Sequence, residues 1–117
     1  MLFNSKGGIV YMDLAEIKDI LCTAYIKFDN IKLGIAGSYA NGTQRKSSDI
    51  DIVIDEDSMQ VEIMEYIKSL FKLKVDILWL ELLKKEDEEL DNIALKYNLP
   101  INKNSVYKTV IKEVIWI

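Results

Sequence analysis

The run Asp49-Ile50-Asp51-Ile52-Val53-Ile54 constrains the fold of this chain more than any other feature. Its β-branched residues favour extended backbone, and in a strand positions i and i+2 share a face. Asp49 and Asp51 therefore project together while Ile50, Ile52 and Ile54 enter a core. Two carboxylates side by side on a sheet repel each other and lose hydration, so they call for a proton or a cation. A strand with one apolar face also needs a layer of helices to cover it.

The rest of the chain supplies that layer. Asp13-Leu14-Ala15-Glu16 has the form of a capping box, and Leu14, Ile17, Leu21, Ala24, Tyr25 and Phe28 then recur at helical spacing. Ile31 to Ala36 is a short apolar run ending in Gly37 and reads as a buried strand; Tyr39 to Ser48 reads as a brief helix followed by a loop. Asp57 or Ser58 caps a second helix with Val61, Met64, Ile67, Leu70 and Phe71 as its apolar side. Lys74 to Leu80 is a further strand, and Glu81 to Tyr97 a charged surface helix that ends before Pro100. The tail from Val106 to Ile117 is read as a short strand followed by a helix. These elements predict an α/β (α+β) fold, a mixed β-sheet flanked by helices. Residues 1–117 form one domain in this reading, because no repeat, low-complexity tract or Pro-rich linker divides them.

Composition removes whole classes of chemistry. The chain has no His, so a Ser-His-Asp triad, a Cys-His pair and a His-ligated zinc are all excluded. A single cysteine, Cys22, excludes an intrachain disulfide and a CxxC knuckle. Between Leu21 and Ala24 it reads as a core filler, and it fits a reducing cytoplasm. Any metal must be held by oxygen, which points to Mg²⁺, Mn²⁺ or Ca²⁺. Fifteen basic against 19 acidic residues leave a net charge of −4, which argues against a long nucleic acid as ligand but not against a small anion carried with a metal. No stretch approaches the ~20 apolar residues of a membrane span. Met1 to Met12 holds no sustained apolar run, so no signal peptide is expected.

The chemistry concentrates between Gly37 and Asp76. Gly37-Ser38 falls where a strand gives way to a helix, and helix N-termini offer free N–H groups to phosphate. Gly37 allows close approach to the backbone, the Ser38 hydroxyl adds a donor, and Gly42 permits the exit into the loop. A phosphate cradle beside paired aspartates is what metal-assisted transfer from a nucleoside triphosphate requires. Asp76, flanked by apolar residues in a strand, is the best third carboxylate; Asp55, Glu56 and Asp57 lie at a strand end and read as solvated. A lone Gly-Ser or Asp-x-Asp means nothing, but the spaced combination has a chance rate on the order of 10⁻⁴ over a chain of this length.

At these residues the chain resembles the minimal nucleotidyltransferases of the DNA-polymerase-β-like superfamily. The matching signature is Gly37-Ser38-Tyr39-Ala40-Asn41-Gly42 followed by Ser48-Asp49-Ile50-Asp51-Ile52-Val53. The likeness covers about residues 32–80; beyond it, Ile101 to Tyr107 faintly resembles the family's closing strand. It implies a polymerase-β-like core, Asp49 and Asp51 as ligands of two Mg²⁺ (Mn²⁺ the alternative), and Asp76 as third ligand or base. Gly37, Ser38, Gly42 and Ser48 would hold ATP or another nucleoside triphosphate. Two positions depart: Asn41 stands where many members carry Arg, and Asn104 where many carry Gly. Asn41 removes a cation from beside the phosphates, which Arg45 or Lys46 would have to replace from the loop.

Larger relatives hold their acceptor on a second domain, for which this chain has no residues left. The resemblance therefore implies a partner as acceptor: a helical HEPN-type toxin modified by AMP on a hydroxyl such as that of Tyr, with this chain as the antitoxin of the pair. Two other readings stand beside it. One is a nucleotide- or partner-binding module that has lost catalysis, with Asn41 as its clue. The other is a small-molecule (antibiotic-type) transferase acting as a homodimer. Trp79, Trp116 and the apolar tail read as core, or as an interface with a partner or a second copy.

Overall fold

A computed structural model describes residues 12–56, 58 and 60–117. Residues 1–11, where a leader was sought, and Asp57, offered as a cap, lie outside the described residues.

Helix α1 (Leu14–Cys22) opens as the capping pattern predicts: the Asp13 carboxylate accepts a hydrogen bond from the Glu16 N–H at 2.9 Å. Thr23 then donates its hydroxyl to the Ile20 carbonyl at 2.7 Å and separates α1 from the short α2 (Ala24–Lys27). Ile17, Leu21 and Ala24 are fully buried along one side. Cys22 is exposed and fills no core; one residue past Leu21, it lies ~100° further round the helix.

Strand β1 (Lys32–Ala36), helix α3 (Gly37–Asn41), β2 (Ile50–Asp55), α4 (Val61–Ser69), β3 (Val75–Trp79) and α5 (Leu80–Lys96) follow in the expected alternation. The chain closes with α6 (Val106–Glu113) and β4 (Ile115–Trp116). The sheet has the order β3-β2-β1-β4; β1 runs antiparallel to β2 and β4, and β2 parallel to β3. Its mixed character matches the expectation.

The alternation of β2 sorts the two faces. Ile50, Ile52 and Ile54 join Leu33 and Ile35 on one side and pack with Ile17, Leu21, Ile63 and Ile67 of α1 and α4. On the other side Val53 and Ala36 meet Leu80 and Val110 of α5 and α6. Asp51, between Ile50 and Ile52, belongs to this second face.

Four further expectations are corrected. The tail is a helix followed by a strand, in the reverse of the expected order, and no strand forms between Ile101 and Tyr107. Ser105 decides the first point, because its hydroxyl oxygen accepts from the Lys108 N–H at 3.2 Å and caps α6. The second follows from β4 taking the edge of β1, with Gly34 opposite Trp116; a Cβ on Gly34 would meet Val114 Cγ2 at 2.5 Å and Trp116 Cε3 at 2.9 Å, so the tail fills the space of the missing side chain. Third, α4 is capped by the backbone of Gln60, while the Ser58 hydroxyl bonds the Glu56 carboxylate at 2.6 Å. Fourth, Ile63 and Ile67 are the buried residues of α4, and Val61, at the open first turn, is 57% exposed.

Helix α6 is tied to α5 by charge. The Lys108 ammonium donates to both Asp91 carboxylate oxygens at 3.0 Å and to the Asn102 carbonyl at 2.9 Å, and lies 3.7 Å from Asp87.

Gly34→Ala is expected to lower stability by about 1–3 kcal/mol, the usual cost of overpacking a filled site. Urea unfolding beside wild type measures this; an unchanged midpoint would show that the tail does not occupy that space.

Candidate active site

Strand register assembles the site. Ala36, the last residue of β1, lies opposite Asp51, and Asp51 lies opposite Asp76 in the parallel ladder. Gly37, Asp51 and Asp76 are therefore abreast at one end of the sheet, on the side facing α6. Asp49 precedes Asp51 by two residues, immediately before β2 begins. Asp55 is at the other end of β2, opposite Lys32, and so takes no part.

Gly37 has φ +66°, and a Cβ on it would run into the Asp51 carboxylate. Both facts demand glycine here: the left-handed backbone and the close approach of a charged side chain. Asp51 is half-buried, and its carboxyl is held above the usual 3.8, first by desolvation, then by the negative charges of Asp76 and Asp49. Asp49 has a partial counter-charge in Lys74, whose ammonium lies 3.5 Å away on an exposed side chain. That pair contributes little to stability, yet it puts a cation where the carboxylates call for one. Nothing in the sequence pattern singled out Lys74.

The donor chemistry fits a hard divalent ion: Asp51 lies opposite Asp76 and two residues past Asp49, and after desolvation the charges of both push its carboxyl up. Among the described residues, however, no group of three Asp, Glu or Cys side chains is drawn together as a ready-made cage. The fit lies in the oxygen donors and their unbalanced charge.

Helix α3 starts at Gly37, with Ala36 as an N-cap that makes no side-chain hydrogen bond. The first turn of α3, which opens at Gly37, therefore stands beside Asp51. Gly42 ends α3 at φ 80°, and its Cβ would meet nothing within 4 Å, so its glycine serves the left-handed cap rather than a ligand's approach. The Asn41 side-chain oxygen accepts from the Thr43 N–H at 3.1 Å and from the Thr43 hydroxyl, which folds the exit turn. Ser48 accepts from the Arg45 N–H at 2.7 Å and shapes the loop ahead of Asp49. Arg45 and Lys46 are exposed on that loop.

A cleft of about 330 Å³ opens beside Gly37 and Asp51, and its far wall is α6 with the turn before it: Asn104, Val106, Thr109 and Glu113. Sequence reasoning took Asn104 only as a departure from a signature and missed the other three. The signal was there in the Ser105 cap and the spacing of Val106 and Val110, but the tail was assigned the wrong order. Tyr39 is buried in α3 and packs in the core under the sheet, where desolvation pushes its hydroxyl up.

Comparison with known proteins agrees with the geometry. Residues 14–117 match the nucleotidyltransferase domain family, and the chain belongs to it: this is an enzyme of the nucleotidyltransferase type. The match continues beyond residue 80, through α6 and β4. The chain is 29% identical over 116 residues to the protein adenylyltransferase MntA of Thermococcus cleftensis, covering 91% of this chain and 97% of that protein. It is 38% identical over 76 residues to a Methanocaldococcus jannaschii protein whose name assigns the same activity provisionally, covering 56% of this chain and 76% of that one.

The raised Asp51 pKa gives a pH prediction for the metal-free protein. Folded Asp51 holds its proton more tightly than the unfolded chain does, so the unfolded state ionises first. Stability is therefore lost as pH rises from about 3.8 through the folded value, and stays lower above it. Asp51→Asn is expected to be more stable than wild type at pH 7 in EDTA, with the gap closing below pH 4. Urea unfolding of both proteins across that range checks it; a gap that does not vary with pH would contradict the assignment.

Proposed function

We propose that this enzyme transfers AMP from ATP onto a hydroxyl of a partner protein, using divalent metal at the sheet end. The observation that carries the reading is the register that sets Asp51 against Asp76 beside the left-handed turn at Gly37. Asp49, Asp51 and Asp76 are the residues that hold the ions, two Mg²⁺ with Mn²⁺ as the alternative, which when bound neutralise the triphosphate and polarise its α-phosphorus. Gly37 and Ser38 face the β- and γ-phosphates with N–H groups and a hydroxyl, and pyrophosphate leaves along them. Asp76 receives the acceptor's proton as the new P–O bond forms. Gly42 and Ser48 hold the nucleotide indirectly, through the exit turn and the loop they shape.

A protein acceptor is favoured by the Thermococcus relative, which has nearly the length of this chain and is named for adenylyl transfer to a protein. Within that reading a helical HEPN-type toxin is the partner and this chain its antitoxin, as the resemblance in Gly37-Ser38 and Asp49-x-Asp51 implies. The lone Cys22 fits the reducing cytoplasm where such a pair would act, and among the described residues no helix is long and apolar enough to cross a membrane. A binding module without turnover is the second reading, favoured by Asn41, whose amide is engaged with Thr43 where many relatives carry a cation.

Radiolabelled ATP, Mg²⁺ and a cell lysate as acceptor source test the proposal. Wild type is expected to label a protein band, Asp49→Ala/Asp51→Ala none, and Gly37→Ala roughly 10²-fold less, the usual effect of a small misplacement. Magnesium-dependent ATP binding without label would favour the binding module, and label on a small hydroxylated compound alone would favour the homodimeric transferase.

A further inference from the structure

Exposed apolar side chains gather on the C-terminal half of α5 and the segment after it. Leu90, Ile93, Tyr97 and Leu99 are 60, 50, 63 and 57% exposed. Leu90, Ile93 and Tyr97 fall at i, i+3 and i+7, one stripe of the helix. Beside this stripe lies a groove of about 300 Å³ walled by Leu90, Ile93, Leu99 and Pro100, with Asp87 and Asp91 in its lining. It shares no residue with the cleft at Asp51.

The groove is short of positive charge. Lys108 spends its donors on Asp91 and the Asn102 carbonyl, and stands 3.7 Å from Asp87 Oδ1. That oxygen is buried without a hydrogen-bond partner, in a residue only 6% exposed. Two carboxylates thus share one ammonium at the edge of an apolar surface. Glu86, exposed on α5, lines the adjoining pocket with Asp87 and Leu90 and adds a third acid, while Glu88 and Glu89 are matched on α5 by the equally exposed Lys84, Lys85 and Lys96.

We propose that this groove docks a helix of a partner protein whose apolar residues are interleaved with Arg or Lys. An apolar anchor lies between Leu90, Ile93 and Leu99, and a cation on an adjoining turn meets Asp91, whose one ammonium, Lys108, also serves the buried Asp87. A groove lined by two carboxylates that share one ammonium favours a basic amphipathic protein segment over nucleic acid or anionic lipid. The proposal rests on the protein-acceptor reading only in taking that partner to be the acceptor.

The probe is a fluorescein-labelled synthetic helix of about 14 residues, built from Leu and Arg, with a Leu/Glu helix as control, read by anisotropy at about 0.15 M salt. Wild type is expected to bind the Leu/Arg helix about tenfold or more tightly than the control. Leu90→Ser/Ile93→Ser and Asp91→Asn are each expected to weaken it about tenfold, whereas Glu62→Gln/Glu65→Gln, acids on α4 outside the groove, leaves it unchanged. Leu90 and Ile93 are exposed, so the fold should survive, as circular dichroism can check. Equal binding by Leu90→Ser/Ile93→Ser overturns the proposal. So does equal loss in the α4 variant, which would mean unspecific attraction to acidic surface. Self-association that Leu90→Ser/Ile93→Ser abolishes, with no peptide bound, also overturns it and assigns the face to a second copy. The catalytic reading is scored apart: Leu90→Ser/Ile93→Ser should keep Mg²⁺-dependent ATP binding while labelling of the lysate protein falls about tenfold. Asp51→Asn should lose the nucleotide and keep the peptide. Intact peptide binding in a protein that never transfers label would fail the catalytic reading alone.

Discussion

Asp51 faces Ala36 across one ladder and Asp76 across the other, and the repulsion that this register builds between carboxylates is the constraint around which the molecule is arranged. The register is fixed from the opposite face of the sheet. Ile50, Ile52 and Ile54 are wholly buried under α1 and α4. A slip of one residue in β2 would turn those isoleucines toward the cleft and α6, and Asp51 into the apolar layer under α1 and α4. The apolar layer thus holds the charged one at its mismatched position, at a cost seen in the raised pKa of Asp51. A protein selected for stability alone would not keep two acids abreast, and this is the physical reason to read the sheet end as a working site.

The first half of the chain was legible because its signals are local. The Asp49–Ile54 alternation, the Asp13 cap and the break at Gly37 each depend on near neighbours, and each gave the right element. Asp76 was legible from the cost of an acid in an apolar strand, though its place opposite Asp51 needed the pairing. The tail was not legible in the same way. Its apolar residues at Val106, Val110 and Val114 fit a helix behind the Ser105 cap, and those at Ile115 and Ile117 a strand, a local signal that was read in the reverse order. Where that strand docks is tertiary: the gap above Gly34, some eighty residues earlier, which Val114 and Trp116 fill. The cleft wall was missed with it, because Asn104, Thr109 and Glu113 come near Asp51 only when α6 crosses that face. Cys22 was misplaced by reading neighbours in sequence as neighbours in space.

The two faces of the sheet therefore divide the work. One is a conventional apolar core. The other carries the aspartates, the cleft and the α5–α6 pair, fastened by one lysine that serves two acids. The loop from Gly42 to Ser48 is held by its own side chains, Asn41 on Thr43 and Ser48 on Arg45. It delivers Asp49 to the site without a strand to support it. This loop also carries Arg45 and Lys46, the cations nearest in sequence to the position left neutral by Asn41.

The most direct test of the central claim is a Mn²⁺ titration in the presence of ATP, read by equilibrium dialysis, which separates Mn²⁺ held by the protein from Mn²⁺ held by free ATP, on wild type and on Asp51→Asn/Asp76→Asn. If the opposed carboxylates are a cation site, wild type takes up Mn²⁺ with the nucleotide and the double variant binds it about 10²-fold more weakly or not at all. Equal uptake by the two proteins would contradict the account, and would mean that the paired aspartates are not what the metal and the triphosphate are held by.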